Sequence, residues 1–190
     1  MAGDAIAVSM WPMSKPALKP LISERRIQKR VRELAGEIAR DHARDGAGQD
    51  LAVLALMDGA FVFVADLVRH LDLPSLRLHF VRASSYGGRT ASSGRVELGT
   101  MPDLSGRTVL IVDDILDTGR TLAAARRAVS GAAEVKTCVL LDKPTRRVAE
   151  GLQVADYIGF TVPDVFVVGY GLDWDGRLRH LPDLRVAAHE

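Results

Sequence analysis

The stretch Val109-Leu-Ile-Val-Asp-Asp-Ile-Leu-Asp-Thr-Gly-Arg-Thr121 decides how this chain of 190 residues is read. An apolar run rich in β-branched residues ends in two carboxylates, Asp113 and Asp114. A third, Asp117, precedes Thr118, Gly119, Arg120 and Thr121, and an alanine-rich helical stretch follows. This is the pattern of a buried parallel strand whose C-terminal end meets a loop at a helix N-terminus. Open α/β sheets bind their ligands at that point. Amides at the helix start, with the Thr118 and Thr121 hydroxyls beside them, form a cradle for an anion. Asp113 and Asp114 offer oxygens to sugar hydroxyls or to hydrated Mg²⁺. An anion cradle next to a site for a diol and a metal suits a phosphorylated sugar.

Working outward, residues 1–20 hold three prolines without periodicity and read as an arm, with Trp11 packed on a neighbouring surface. Residues 21–190 read as one further unit. Ser23 is placed to cap a helix in which Ile27, Val31, Leu34 and Ile38 recur at helical spacing, ended by Gly46 and Gly48. Leu51 to Met57 is a buried strand, followed by Asp58-Gly59 and a covering helix from Ala60 to Leu71. Leu76, Leu78 and Phe80 alternate with Arg77 and His79 as a half-exposed strand. Ser84 to Arg95 is a polar, Gly- and Ser-rich loop, long enough to suggest a function. Thr108 to Val112 is the central strand and Thr118 to Ser130 its helix. Strands follow at Val135 to Leu141, Asp156 to Phe160 and Val165 to Tyr170, with a turn through Gly171 and Gly176. Alternating strands and helices imply an α/β fold with a mostly parallel sheet.

Composition narrows the class. The formal net charge is +1 with no basic block, so no nucleic-acid partner is implied. The single cysteine, Cys138, excludes an intrachain disulfide, points to a reducing compartment and reads as a buried thiol. No apolar stretch approaches the roughly 20 residues of a membrane helix. No basic-then-apolar leader opens the chain, and a cytoplasmic protein is expected. Zinc-binding His or Cys pairs, a Gly-Lys-Ser/Thr phosphate loop and a dinucleotide fingerprint are all missing from the sequence.

Four more segments accompany the central one. They are Leu56-Met-Asp-Gly-Ala60, Ser84-Ser-Tyr86, Leu140-Leu-Asp-Lys-Pro-Thr-Arg-Arg147, and the run from Asp156 through Phe166-Val-Val-Gly-Tyr-Gly-Leu-Asp173. In this order, between about residues 21 and 184, the five resemble the motifs of hypoxanthine-guanine phosphoribosyltransferases. That resemblance implies the type I phosphoribosyltransferase fold, a mostly parallel twisted sheet flanked by helices, with a small hood built from the N- and C-terminal segments. It implies purine salvage: phosphoribosyl diphosphate (PRPP) and a 6-oxopurine, hypoxanthine or guanine, give IMP or GMP and diphosphate, with Mg²⁺.

By the same resemblance, Asp117 handles the purine N7 proton, while Thr118, Gly119, Arg120 and Thr121 hold the 5′-phosphate. Asp113 and Asp114 face the ribose hydroxyls. Asp58, Gly59 and Arg179 belong to the diphosphate site. Lys143 reads the 6-oxo group, Phe166 stacks on the base, and Val167 and Asp173 lie at its edge. Asp173, with Asp113 and Asp114, is a candidate for Mg²⁺. Ser84, Ser85 and Tyr86 begin a mobile lid. Relatives are usually homodimers or homotetramers, and neither nucleic acid nor membrane is expected as a partner. Asp58 departs from the pattern, because many relatives carry Lys there and an inward acid would repel diphosphate. A xanthine-preferring enzyme, a PRPP-sensing regulator without catalysis and a receiver-type signalling domain are the alternative readings. The receiver leaves the hydroxyl cradle and the downstream hood unexplained.

Overall fold

All six residues from Leu51 to Leu56 are buried, as a strand covered on both faces requires, and the computed structural model forms strand there. Residues 16–44, 50–85 and 96–188 are described. In chain order the elements are β1 (Ala17–Ile22), α1 (Glu24–Arg44), β2 (Leu51–Met57), α2 (Phe61–His70), β3 (Arg77–Ser85), β4 (Val96–Leu98) and β5 (Thr108–Leu116). Then come α3 (Arg120–Ala128), β6 (Glu134–Asp142), a 3₁₀ turn (Pro144–Arg146), β7 (Tyr157–Thr161), β8 (Val167–Val168) and β9 (Leu184–Ala188).

Six strands form one sheet in the order β4-β3-β2-β5-β6-β7, parallel except where β4 runs antiparallel to β3. Strand periodicity sends successive residues to opposite layers. Val53, Ala55, Leu110 and Val112 pack with Ile27, Val31 and Leu34 of α1 and with Phe63 and Leu67 of α2. Leu54, Leu56, Val109 and Ile111 pack on Leu122 and Ala125 of α3. Burying each large side chain of this kind contributes about 1.5–3 kcal/mol. Cys138 lies in the first layer, fully buried.

Strands β1, β9 and β8 form a second, antiparallel sheet, so chain segments from both ends build a hood. Ile22, Val167, Tyr170, Leu172 and Leu184 seat it on the α1–α2 side of the core. The stretch read as an arm therefore becomes strand from Ala17 onward, because β9 offers it a partner, Ala17 opposite Ala188. The division expected after residue 20 falls inside β1. Pro20 is tolerated because β1 is an edge strand whose register shifts between Pro20 and Ile22. Trp11 lies outside the described residues.

Other boundaries also differ from the sequence reading. β5 continues past Val112 because β6 goes on pairing with it, Asp113 opposite Val139 and Leu116 opposite Asp142. The acidic pair is therefore held on a strand, not a loop. α3 begins at Arg120, two residues later than expected, after Gly119 has turned the chain at φ 81°. The strand expected from Val165 to Tyr170 is only Val167–Val168, and β9 went unread. Phe80, expected on the inward face, is 59% exposed, because the helices on that side sit over β2 and β7. Ser84 and Ser85 close β3 opposite Glu97 and Val96 instead of opening a loop. Tyr86 and the rest of the expected lid, through Arg95, lie outside the described residues.

Candidate active site

One cleft of about 990 Å³ opens at the C-terminal ends of β2, β5 and β6, beneath the hood. Asp58, Gly59, Asp113, Asp114, Asp117, Thr118, Gly119, Arg120, Thr121, Lys143, Phe166, Val167, Asp173 and Arg179 all line it. The topology explains the convergence. Parallel neighbours end on the same side, so residues far apart in sequence meet at one rim.

The loop between β5 and α3 shows how backbone alone prepares an anion site. Its carbonyls are tied to the segment beneath. The Lys143 amide donates to the Leu116 carbonyl at 3.0 Å, Val148 to Thr118 at 3.3 Å, and Leu152 to Gly119 at 2.9 Å. With those oxygens engaged, the helix-start amides and the Thr118 and Thr121 hydroxyls are available to a phosphate, the Arg120 amide meanwhile resting on the Thr118 hydroxyl at 3.4 Å. Gly119 is obligatory here: besides its positive φ, a Cβ would fall 2.3 Å from the Leu152 carbonyl oxygen.

Asp113 is 8% exposed, and its Oδ1 accepts a hydrogen bond from the Asp114 amide at 3.0 Å. Burial pushes its carboxyl well above the usual carboxylate range, and the neighbouring Asp114 charge adds to the effect. Burial raises Asp114 as well, while the Arg179 charge opposes the rise. Hydroxyl donors or a cation would relieve both groups. Asp114 rests against the backbone of Gly59, where any Cβ would lie 1.7 Å from its Oδ2. Next to that glycine the Met57–Asp58 peptide is cis. Asp58 does not stand as an unpartnered acid, since it accepts a hydrogen bond from Arg82 Nη2 at 3.2 Å.

At the other end, Asp117 Oδ1 accepts a hydrogen bond from Arg146 Nε at 3.1 Å. Arg146 Nη1 lies 3.7 Å from Asp164, which lies 4.0 Å from Lys143 Nζ. Charges therefore alternate along Asp117, Arg146, Asp164 and Lys143. Phe166 is 49% exposed, and Trp174 meets it edge-on with centroids 5.3 Å apart. That leaves a ring held in place with a face open for stacking. Val167 is buried in β8, and the Ala187 amide of β9 fixes the Phe166 carbonyl at 2.9 Å. Asp173 forms an ion pair with Arg179 Nη2 at 2.9 Å and accepts a hydrogen bond from the Gly176 amide at 2.7 Å. Arg179 Nη1 also donates to the Gly171 carbonyl at 2.7 Å.

The chain is 43% identical over 148 residues to the hypoxanthine-guanine phosphoribosyltransferase of Streptococcus pneumoniae, covering 76% of this chain and 81% of that one. The profile of the phosphoribosyl transferase domain matches residues 21–175. The chain belongs to the hypoxanthine-guanine phosphoribosyltransferase family. The hypoxanthine phosphoribosyltransferase of Escherichia coli is 41% identical over 140 residues, 72% of this chain and 77% of its own. A crystal structure of a hypoxanthine-guanine phosphoribosyltransferase from Bacillus anthracis superposes with a TM-score of 0.81 at 38% identity, covering 92% of this chain and all of that one. The type I phosphoribosyltransferase fold expected from the sequence is therefore the fold of this protein.

Within this family member, the carboxylates named for Mg²⁺ meet one condition and miss another. Asp113, Asp114 and Asp173 line the same cleft and supply the hard oxygen donors that Mg²⁺ prefers. Among the described residues, however, no three acidic, His or Cys side chains gather closely enough to hold a metal by themselves. Asp173 has both oxygens engaged by Arg179 and Gly176. Such a donor set fits an ion that keeps most of its waters and is completed by substrate phosphates. The sequence reading missed Arg82, Arg146, Asp164 and Trp174. The run of charges after Lys143 was the available signal for Arg146, while the other three carried none.

Proposed function

We propose that this protein transfers the 5-phosphoribosyl group of PRPP to a 6-oxopurine, hypoxanthine or guanine, releasing diphosphate and the nucleoside 5′-monophosphate. The single observation that carries this reading is the shared cleft. Asp117, the phosphate loop, Lys143 and Phe166 all line it.

On this reading the 5′-phosphate sits on Thr118, Gly119, Arg120 and Thr121, and the ribose hydroxyls donate to Asp113 and Asp114. The diphosphate lies along Gly59 and Arg179. The purine stacks on Phe166, its 6-oxo group accepts from Lys143, and its far edge meets the backbone at Val167. N9 bonds to C1′ as the C1′–O bond to diphosphate breaks, and Asp117 takes the proton from N7. Arg146 hands Asp117 over to the base. Mg²⁺, held by Asp173 and the Asp113–Asp114 pair together with the diphosphate, would neutralise charge on the leaving group. The segment that follows Ser84 and Ser85 at the end of β3, beginning at Tyr86, would exclude water from the oxocarbenium-like centre. The same reading makes the protein a cytoplasmic homodimer or homotetramer. Among the described residues, no helix is long and apolar enough to cross a membrane.

The test is a panel of hypoxanthine, guanine, xanthine and adenine with PRPP and Mg²⁺, followed spectrophotometrically. Nucleotide from hypoxanthine or guanine is expected. Adenine should lag by about 10⁴-fold, because its amino group leaves the Lys143 donor unpaired. Xanthine as the best substrate would shift the specificity, and no product from any base would overturn the assignment.

A further inference from the structure

Arg147 stands behind the cleft, outside the residues that line it. Its side chain is 9% exposed and joins three separate segments. The two Nη1 hydrogens are shared among the carbonyls of Leu116 at 2.6 Å, Lys143 at 3.0 Å, and Asp117, one of them bifurcated. Nε donates to the Gln153 carbonyl at 3.0 Å. Nη2 is paired with Asp142, which is itself nearly buried. A planar guanidinium presents its donors in a fixed fork, and no other side chain could serve these acceptors at once.

Two of the carbonyls belong to Asp117 and Lys143. In the proposed reaction their side chains meet adjacent atoms on one purine edge, N7 and the 6-oxo oxygen. A single rigid group thus fixes the backbones of the proton acceptor and the base reader relative to each other. Its bonds to Leu116 and Asp117 also extend the row that Val148 and Leu152 make to Thr118 and Gly119. Four consecutive carbonyls at the phosphate loop are thereby turned toward the protein. A carbonyl released into the cradle would place partial negative charge against a phosphate. Asp142 keeps the buried cation compensated, which it must be to remain there.

We infer that Arg147 is a positioning residue: it holds Asp117 and Lys143 in register for the purine edge and keeps the phosphate-loop carbonyls turned away from the 5′-phosphate. The inference rests on the proposed reaction and adds a residue that touches neither substrate. Two variants test it. Arg147→Lys retains the charge opposite Asp142 and loses the fork. Asp142→Asn frees the guanidinium without altering any group that lines the cleft.

Both would be assayed with hypoxanthine, PRPP and Mg²⁺ beside circular dichroism and thermal melts. For Arg147→Lys, kcat should fall about 10²-fold, as for a reacting group displaced by about 1 Å, with KM raised for both substrates. Asp142→Asn should move the same constants in the same direction by less. A merely structural anchor would lower the melting temperature while leaving KM, which is independent of the folded fraction, and kcat per folded molecule unchanged. That result overturns the inference. If Arg147→Lys does not fold, Asp142→Asn decides by the same constants: shifted values support the inference and unchanged values refute it. An inactive wild-type protein would refute the reaction itself, so the two failures are distinguishable.

Discussion

Asp117 illustrates how a residue's role depends on its partner. Its type and place were readable beside Asp113 and Asp114, but its hydrogen bond to Arg146 spans 29 residues. The Asp58–Arg82 pair spans 24. The run of charges after Lys143 hints at Arg146, but nothing local in the chain announces either pairing, since ion pairs of this separation exist only once the strands are aligned. Asp117→Asn should lower kcat by about 10²–10⁴-fold while PRPP still binds, measured by steady-state rates beside equilibrium binding. A rate near that of the wild type would remove Asp117 from the proton transfer. Gly59→Ala is the steric counterpart. Its methyl would fall 1.7 Å from Asp114 Oδ2, so the carboxylate must leave its seat. PRPP binding and turnover should both collapse while circular dichroism stays native. Unimpaired PRPP affinity would show that the seat is not needed.

At the scale of elements, α2 was legible as a covering helix from Ala60 to Leu71, and it forms from Phe61 to His70. Its buried acid was not legible. Asp66 accepts hydrogen bonds from Tyr170 in the hood at 2.5 Å and from Gln28 of α1 at 2.6 Å, and is paired with Arg69. A hydrophobic pattern reports which face is covered, not which polar residue on it finds donors 38 and 104 residues away. Burial alone would raise the Asp66 carboxyl, but the bonds from Tyr170, Gln28 and Arg69 outweigh it and hold the group below 3.8. The stability it contributes is therefore present above 3.8 and lost as pH falls through the lower folded value. Asp66→Asn should be less stable than the wild type by about 1–3 kcal/mol near neutral pH, in urea unfolding. That gap should narrow as pH falls below 3.8. A gap constant with pH would separate Asp66 from this linkage. Strand ends were the weakest part of the sequence reading: β5 outlasted its apolar run because β6 kept pairing beyond it.

For the whole molecule, a ligand that touches the sheet loops and the hood together should bind the folded state alone. At about 100 times its dissociation constant, the nucleoside monophosphate product should add about 2.7 kcal/mol, raising Tm by roughly 5–10 °C for a chain of this size. A melt unmoved by the nucleotide would mean that the two halves do not close on it. Local chemistry in the sequence determined the buried strands, the helix faces, the carboxylates at a strand end and the Gly-containing loop behind them. Each follows from periodicity or from conformational demands that neighbouring residues impose. Tertiary structure alone decided that Ala17–Ile22 would pair with Leu184–Ala188 to make the hood, that Arg82 would answer Asp58, and that Arg146 and Arg147 would flank Asp117 and Lys143. Those outcomes depend on which strands become neighbours, and a side chain's electrostatic partner is fixed by distance in space, not along the chain.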